Sequence, residues 1–334
     1  MILHMPDIAP HLSLFRDTLS SIIDHLLLPH PKNYHYVKEY ILSGGKQTRP
    51  QLYMEACLLW GKKPSYEIAA SIELVHAFLL IHDDIMDDDE LRRDKPTLHT
   101  YFTKLFFSER TGRALALCFG DLLYSEAFHL CTQYSPKELT KEILSVLSEV
   151  ITTTAQGQLL ECASESLPTE AALLSFYEKK TAYYSIYLPL AIAALHSGRE
   201  CTTDLLEFSK HLGKAHQLYD DCEEIAGRKI RKEDSKRCSD LMRLKMTPIL
   251  RRTLDCLPDL AREEYMAKYL TQQTLTWNEE EVLQKVIREH HILSQMQEIV
   301  EKELAAGEAY LVPLGLQDSV LVQKLIQTYR SASQ

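Results

Sequence analysis

Stretch after stretch of this chain sets its apolar residues three and four apart, and hardly any alternates them, so helices rather than strands are what it builds. "HLSLFRDTLSSIIDHLLL" is one such run, stopped by Pro29 and Pro31. "YHYVKEYIL" comes next and ends at Ser43-Gly44-Gly45. A longer helix is expected from about Tyr66 through an acidic stretch to a break near Asp94-Lys95-Pro96. "ALALCFGDLLYSEAFHL", "KEILSVLSEVITTTAQGQLLECA", "LLSFYEKKTAYYSIYLPLAIAALHSG" and "TTDLLEFSKHLGKAHQLYDDCEEIAG" read as further helices, several apolar nearly all round and therefore buried. "RKIRKEDSKRCSD", residues 228–240, reads as a charged, mobile loop, after which helices resume to the end. Glycine is scarce, at 11 of 334 residues, which also favours helices. No linker or repeat of fixed period interrupts the chain, so one all-α domain over residues 1–334 is the expectation.

With 45% apolar and 25% charged residues, the chain has the make-up of a soluble globular protein that fills a core. A net charge of −10 argues against a nucleic-acid footprint and suits a metal or a metal-complexed anion. The eight cysteines, at 57, 118, 131, 162, 201, 222, 238 and 256, contain no C-x-x-C pair and read as reduced thiols in the cytoplasm. "MILHMPDIAP" has no basic n-region, and no stretch reaches the roughly 18 uncharged apolar residues of a membrane helix.

Two acidic clusters carry the chemistry. "IHDDIMDDDELRR" places Asp83 and Asp87 one helical turn apart, with Asp84 alongside. Like charges at that spacing repel unless a cation lies between them, and hard oxygens there suit Mg²⁺, which keeps waters and shares its shell with phosphate. Alone, such a stretch reads equally as a solvated helix end. "QLYDDCEEIAG" repeats the spacing with Asp220, Asp221 and Glu224, and two such clusters facing one cavity would hold a diphosphate through several ions. Cations accompany them: Lys46 and Arg49 in "SGGKQTRP", Arg92 and Arg93 after the first cluster, "KKT" at 179–181, and Lys245. The inventory suits two phosphorylated substrates, one held through metal and one held directly. Glu73-x-x-His76 and Glu126-x-x-His129 raise a di-iron alternative, which leaves both aspartate clusters and the paired arginines without a role.

In order along the chain, "GGKQTRP", "ELVHAFLLIHDDIMDDDELRRDKPT", "GDLLYSEAF", "GQLLE", "KKTAYYS", "HQLYDD" and "DLMRLKMTP" resemble the trans-isoprenyl diphosphate synthases, or polyprenyl synthetases. The resemblance implies an all-α bundle around a deep central cavity (the isoprenoid synthase fold), a homodimer, and Mg²⁺-dependent head-to-tail (1′-4) condensation of isopentenyl diphosphate with an allylic diphosphate. It implies that Lys46, Arg49, His76 and Arg93 bind the isopentenyl diphosphate. Asp83, Asp84 and Asp87, with Asp220, would hold Mg²⁺. Arg92, Lys180, Thr181, Gln217 and Lys245 would surround the allylic diphosphate, with Gln158 and Glu161 lining its pocket. Asp83, Asp87, Asp220, Lys180 and Arg92 are the expected catalytic set.

Phe78 and Leu79 lie five and four residues before Asp83, about 6–8 Å deeper along the helix. In the family a bulky aromatic five residues before the first aspartate acts as a floor to the growing chain, so a C20 geranylgeranyl product is expected, with C15 farnesyl next and longer chains after. Departures cluster on the allylic side. Glu224 replaces the usual last aspartate, His216 a usual phenylalanine, and "LKMTP" lacks the glycine before Lys245; Asp94 stands where the family usually has glycine after RR. A class I terpene cyclase would need an Asn/Asp, Ser/Thr, Glu triad at spacing four, which is absent after Asp220. A non-catalytic partner subunit typically loses the first aspartate motif, which is complete here.

Overall fold

The computed structural model describes residues 7–27, 34–42, 45–162, 168–227 and 238–331. The expectations for Pro29, Pro31, Ser43, Gly44 and residues 228–237 lie outside these. In chain order the helices are α1 (Ala9–Leu27), α2 (His35–Leu42), α3 (Thr48–Leu59), α4 (Tyr66–Met86), α5 (Leu98–Phe106), α6 (Glu109–Tyr134), α7 (Thr140–Cys162), α8 (Glu170–Tyr177) and α9 (Leu188–His196). They continue with α10 (Thr203–Ile225), α11 (Ser239–Met242), α12 (Pro248–Asp255), α13 (Asp259–Leu270), α14 (Trp277–Glu289), α15 (Ile292–Glu308), α16 (Leu311–Leu314) and α17 (Val320–Arg330). The chain divides into two compact units. One comprises Met1–Glu149, Leu188–Cys201 and Asp318–Leu321; the other comprises Val150–Tyr187, Thr202–Gln317 and Val322–Gln334.

The first unit is organised by α4. Ser65 caps it, its hydroxyl accepting from the Ile68 N–H at 3.2 Å. The helix packs against α1, α3 and α6, and buries Ile68, Ile72, Leu74, Val75, Phe78 and Ile81. Each such side chain contributes about 1.5–3 kcal/mol on leaving water. α6 is long and apolar enough to cross a membrane by length and composition, but it carries Asp121 and Glu126 and lies along α4 and α5. Buried Glu55 on α3 accepts from the Ser319 hydroxyl at 2.6 Å and the Val320 N–H at 2.9 Å, so it caps the start of α17.

The helix expected to run through the acidic stretch stops earlier, at Met86. Asp87 is its C-cap, and Asp88 turns the backbone to φ +54°. The chain then forms a hairpin of two very short strands, β1 (Leu91–Arg92) and β2 (Lys95–Pro96), paired Leu91 to Pro96 and Arg92 to Lys95. Strands of two residues leave no alternation for a pattern to reveal. The two-residue turn puts Arg93 at φ +54° and Asp94 at φ +62°, the left-handed backbone that matches the twist of paired strands. Thr97 closes the hairpin, donating its hydroxyl to the Asp89 carbonyl at 2.7 Å and its N–H to the Glu90 carbonyl at 3.0 Å. The motif's usual glycine is therefore a conformational requirement, and aspartate is among the few side chains that tolerate it.

In the second unit α10 is the spine, lying along α15. Lys214 sits between Glu303 at 2.9 Å and Glu178 at 3.2 Å, and His211 Nδ1 lies 2.7 Å from Glu303. The single helix expected over "LLSFYEKKTAYYSIYLPLAIAALHSG" is interrupted, because Glu178–Tyr187 winds as a wider π-helix between α8 and α9. Such turns redirect side chains and recur at functional sites. α10 approaches this segment through Gly213, where a Cβ would come within 2.4 Å of the Ala182 Cα.

Two substitutions probe this local packing and backbone geometry. Gly213→Ala forces α10 off the π-helical segment and should cost about 1–3 kcal/mol of unfolding free energy in urea. Asp94→Gly should change stability by less than about 0.5 kcal/mol, since relief of strain and added chain entropy offset each other, whereas Asp94→Val should lose about 1–3 kcal/mol.

Candidate active site

Asp83 and Asp84 are neighbours with opposite fates. Asp84 points inward and is 1% exposed. Its Oδ2 accepts from the Tyr40 hydroxyl at 2.6 Å, and its Oδ1 accepts from Arg92 Nε at 2.6 Å. The spacing groups Asp84 with the Mg²⁺ ligands, but both of its oxygens are engaged inside the protein, where they orient Arg92. Burial pushes its carboxyl up to about 6, with Arg92 and Tyr40 opposing. Burial alone would lower the Arg92 guanidinium; Asp84, Tyr40 and Asp83 outweigh it and hold Arg92 charged. Asp83 is part-exposed, and its Oδ2 lies 3.7 Å from Arg92. The Asp87 N–H donates to the Asp83 carbonyl at 2.8 Å, so the helical spacing of the two holds although Asp87 caps the helix.

A cavity of about 90 Å³ opens beside α4 in the same unit, lined by Tyr36, Tyr40, Glu73, His76, Arg92 and Arg93 among others. Of the residues expected to hold one diphosphate, His76 and Arg93 line this cavity, and Arg49 lies against His76. Arg49 Nη1 lies 3.2 Å from His76 Nε2, in donor range of the ring. The Arg93 guanidinium packs on Gly45, where a Cβ would sit 3.0 Å from its Nη2; Gly45 also has φ +50°. The turn carrying Lys46 is held from α1, because Arg16 Nε donates to Gln47 Oε1 at 2.8 Å, and Gln47 is buried with φ +49°. Lys46 itself is exposed.

The second unit repeats the division of labour. Asp220 is part-exposed, with His216 Nε2 3.9 Å away. Asp221 is buried, accepting from the Tyr177 hydroxyl and from Gln217 Nε2 at 2.9 Å. Thr181 in the π-helical segment donates to Gln217 Oε1 at 2.8 Å, which fixes the orientation of the amide. Burial, then Asp240, pushes the Asp221 carboxyl up to about 7, while Lys245 pulls it down, so Lys245 is within electrostatic reach. Lys180 donates to Glu161 at 2.6 Å. Gln158 turns instead to Cys162, one turn along its own helix, at 3.7 Å. Glu224 accepts from the Ser239 hydroxyl at 3.1 Å. His216 keeps an aromatic role, stacking on Tyr329 with ring centres 5.4 Å apart.

Phe78 is buried between His82 and Tyr124, edge-on to both at 5.8 Å and 5.1 Å. Leu79 beside it is half-buried. Tyr40, Tyr177 and Arg16 carry no motif that spacing could find. Each is a lone side chain far in sequence from what it touches.

Among the described residues no three His, Cys, Asp or Glu side chains converge as a ready-made metal cluster, and His129 of the second Glu-x-x-His pair is exposed. The outward donors are hard carboxylates, Asp83 with Asp87 in one unit and Asp220 in the other. One or two carboxylates completed by phosphate and water is the donor set that Mg²⁺ takes.

The polyprenyl synthetase family model matches residues 31–290. A short chain isoprenyl diphosphate synthase of Methanothermobacter thermautotrophicus is 30% identical over 263 residues, covering 75% of this chain and 74% of that one. A geranylgeranyl diphosphate synthase of Methanosarcina mazei is 33% identical over 248 residues, 70% of this chain and 71% of the other. A short chain isoprenyl diphosphate synthase of Methanocaldococcus jannaschii is 32% identical over 202 residues, and there the aligned part spans 58% of the relative's length. The solved geranylgeranyl pyrophosphate synthase of Corynebacterium glutamicum, complexed with isoprenyl diphosphate and magnesium, superposes with a TM-score of 0.77 at 23% identity over 98% of both chains. At that identity the likeness establishes the all-α isoprenoid synthase fold. A family model over most of the chain, and relatives of this identity over more than two thirds of it, settle the matter of kinship: the chain belongs to the polyprenyl synthetase family.

Proposed function

We propose that this chain is a Mg²⁺-dependent prenyltransferase that condenses isopentenyl diphosphate with an allylic diphosphate, 1′-4 and head to tail, and releases geranylgeranyl diphosphate. The observation that carries the reading is the gathering of Arg49, His76 and Arg93 at one cavity beside the helix that presents Asp83 and Asp87. Clustered cations suit a diphosphate held directly; paired aspartates followed by Arg92 suit one held through metal.

In this reading Lys46, Arg49, His76 and Arg93 bind isopentenyl diphosphate. Asp83, Asp87 and Asp220 hold Mg²⁺, which when bound neutralises charge on the departing allylic diphosphate. Arg92, Lys180, Thr181, Gln217 and Lys245 face that leaving group, with Gln158 and Glu161 near it. Asp84 aims Arg92, Glu161 aims Lys180, and the Thr181–Gln217–Asp221 chain fixes an amide, so these groups need little reorganisation as charge develops. The isopentenyl double bond attacks the allylic carbon, and the released diphosphate takes the proton that ends the cycle.

Phe78 supports the C20 assignment, since its ring is clamped by His82 and Tyr124 and does not yield easily. Relatives named for geranylgeranyl, farnesyl and octaprenyl products all match the chain, so a C15 product is the second reading. We infer further a cytoplasmic homodimer, with one catalytic domain over residues 1–334. Exposed Phe106, Phe107 and Leu117 leave apolar surface for a second copy.

The test incubates the purified protein with isopentenyl diphosphate and dimethylallyl, geranyl or farnesyl diphosphate, with Mg²⁺ or EDTA, and reads product length by mass spectrometry. Mg²⁺-dependent C20 product is expected. Asp83→Asn should lower kcat at least about 100-fold with a smaller change in KM, and Phe78→Ala should lengthen the product. A longer product from the wild type removes Phe78 as the floor. No condensation with any starter overturns the synthase reading in favour of a partner subunit, and hydrocarbon release overturns it in favour of a cyclase.

A further inference from the structure

Glu73 is a carboxyl with no part in the condensation itself. It lies on α4 one turn before His76, is 2% exposed, and lines the same cavity. One of its oxygens is buried with no hydrogen-bond partner. An acceptor left so costs free energy unless something occupies its place. The charged and titratable groups facing it are Arg49 from α3, Arg92, Arg93 and Lys95 from the hairpin, Tyr36 and Tyr40 from α2, and His76 on its own helix. Of these, Arg49 and Arg93 are the ones whose charge favours its ionised form.

Those two guanidiniums are also the ones that bind isopentenyl diphosphate in the proposed function, and the inference rests on that reading. A trianionic ligand between them and Glu73 removes the attraction that keeps the carboxylate ionised and adds repulsion of its own. A carboxylate there competes with the ligand for the same cations. A carboxylic acid does not, and its O–H is a donor at the cavity wall where the carboxylate offered only acceptors. We propose that Glu73 takes up one proton from solvent when isopentenyl diphosphate binds, and hydrogen-bonds the bound ligand as a neutral acid. Burial already pushes the carboxyl up to about 7 in the empty cavity, so nearly full uptake at pH 8 needs a further rise of about two pH units on binding.

Calorimetric titration of the full chain with isopentenyl diphosphate tests this, in EDTA so that the metal side stays silent. At pH 8 the binding enthalpy is compared in buffers of different ionisation heat. Uptake approaching one proton is expected, with affinity falling nearly tenfold per pH unit above about 7. Glu73→Gln, which keeps a donor but no proton to exchange, should bind without uptake and with a flat pH dependence. Binding without uptake in the wild type overturns the inference, as does uptake that survives Glu73→Gln, which would move the proton to His76. Failure of the wild type to bind isopentenyl diphosphate at all overturns the assignment of the cavity as well, and is distinguishable from binding without a proton.

Discussion

Each acidic cluster depends on burying one carboxylate so that its neighbour can face outward. In the first unit Tyr40 donates to Asp84, in the second Tyr177 donates to Asp221, and in both the aspartate just before it is part-exposed. Two adjacent carboxylates on one helix cannot turn the same way, since successive side chains lie about 100° apart. The inward one needs donors, or its burial costs more than a helix end can bear. Once it has them it becomes an anchor, and the outward aspartate inherits a fixed backbone. The arrangement even recurs at the same sequence distance, for each tyrosine precedes its aspartate by 44 residues. That spacing leaves no mark in the apolar pattern, because the tyrosines resemble any other core aromatics.

Both anchors serve a cation or an amide beyond themselves. Asp84 holds Arg92, and Asp221 holds Gln217, which in turn accepts from Thr181. A hydrogen bond between charged partners is worth about 1.5–3 kcal/mol, enough to restrict a long arginine to one conformation. Preorganisation of this kind matters most where charge moves during a reaction, because groups already aligned do not have to turn when it does.

Whatever a spacing or a specific string encodes is legible in the sequence. Helices announce themselves by period, and the two DDxx(D/E) strings and the RR pair mark where acidic and basic side chains cluster along the chain. The hairpin does not announce itself, because strands two residues long have no period, and the helix feeding them continues its acidic run without a stop signal until Asp88 turns left-handed. Nor does the π-helical segment, because a wider winding keeps the same apolar composition as the helix it interrupts. Spacing does not set Asp84 apart from its neighbours, for a related reason. Sequence places it beside Asp83 and Asp87 but carries no sign of Tyr40, 44 residues away, which takes one of its oxygens.

The hairpin explains why the sequence needs two arginines in a row there. On a pleated strand neighbouring side chains face opposite ways, and the turn immediately after Arg92 swings the next residue further round. Arg92 goes to Asp84 and lies near Asp83, on the side of the acidic cluster. Arg93, at φ +54°, packs on Gly45 and acts on Glu73, on the side of the neighbouring loop. One dipeptide thereby sends one guanidinium to Asp84 and the other to Gly45 and Glu73 from a single short stretch of backbone. The left-handed turn that makes this possible is strained at Arg93, by about 1 kcal/mol or more, and is retained because Thr97 ties down the residues on its near side.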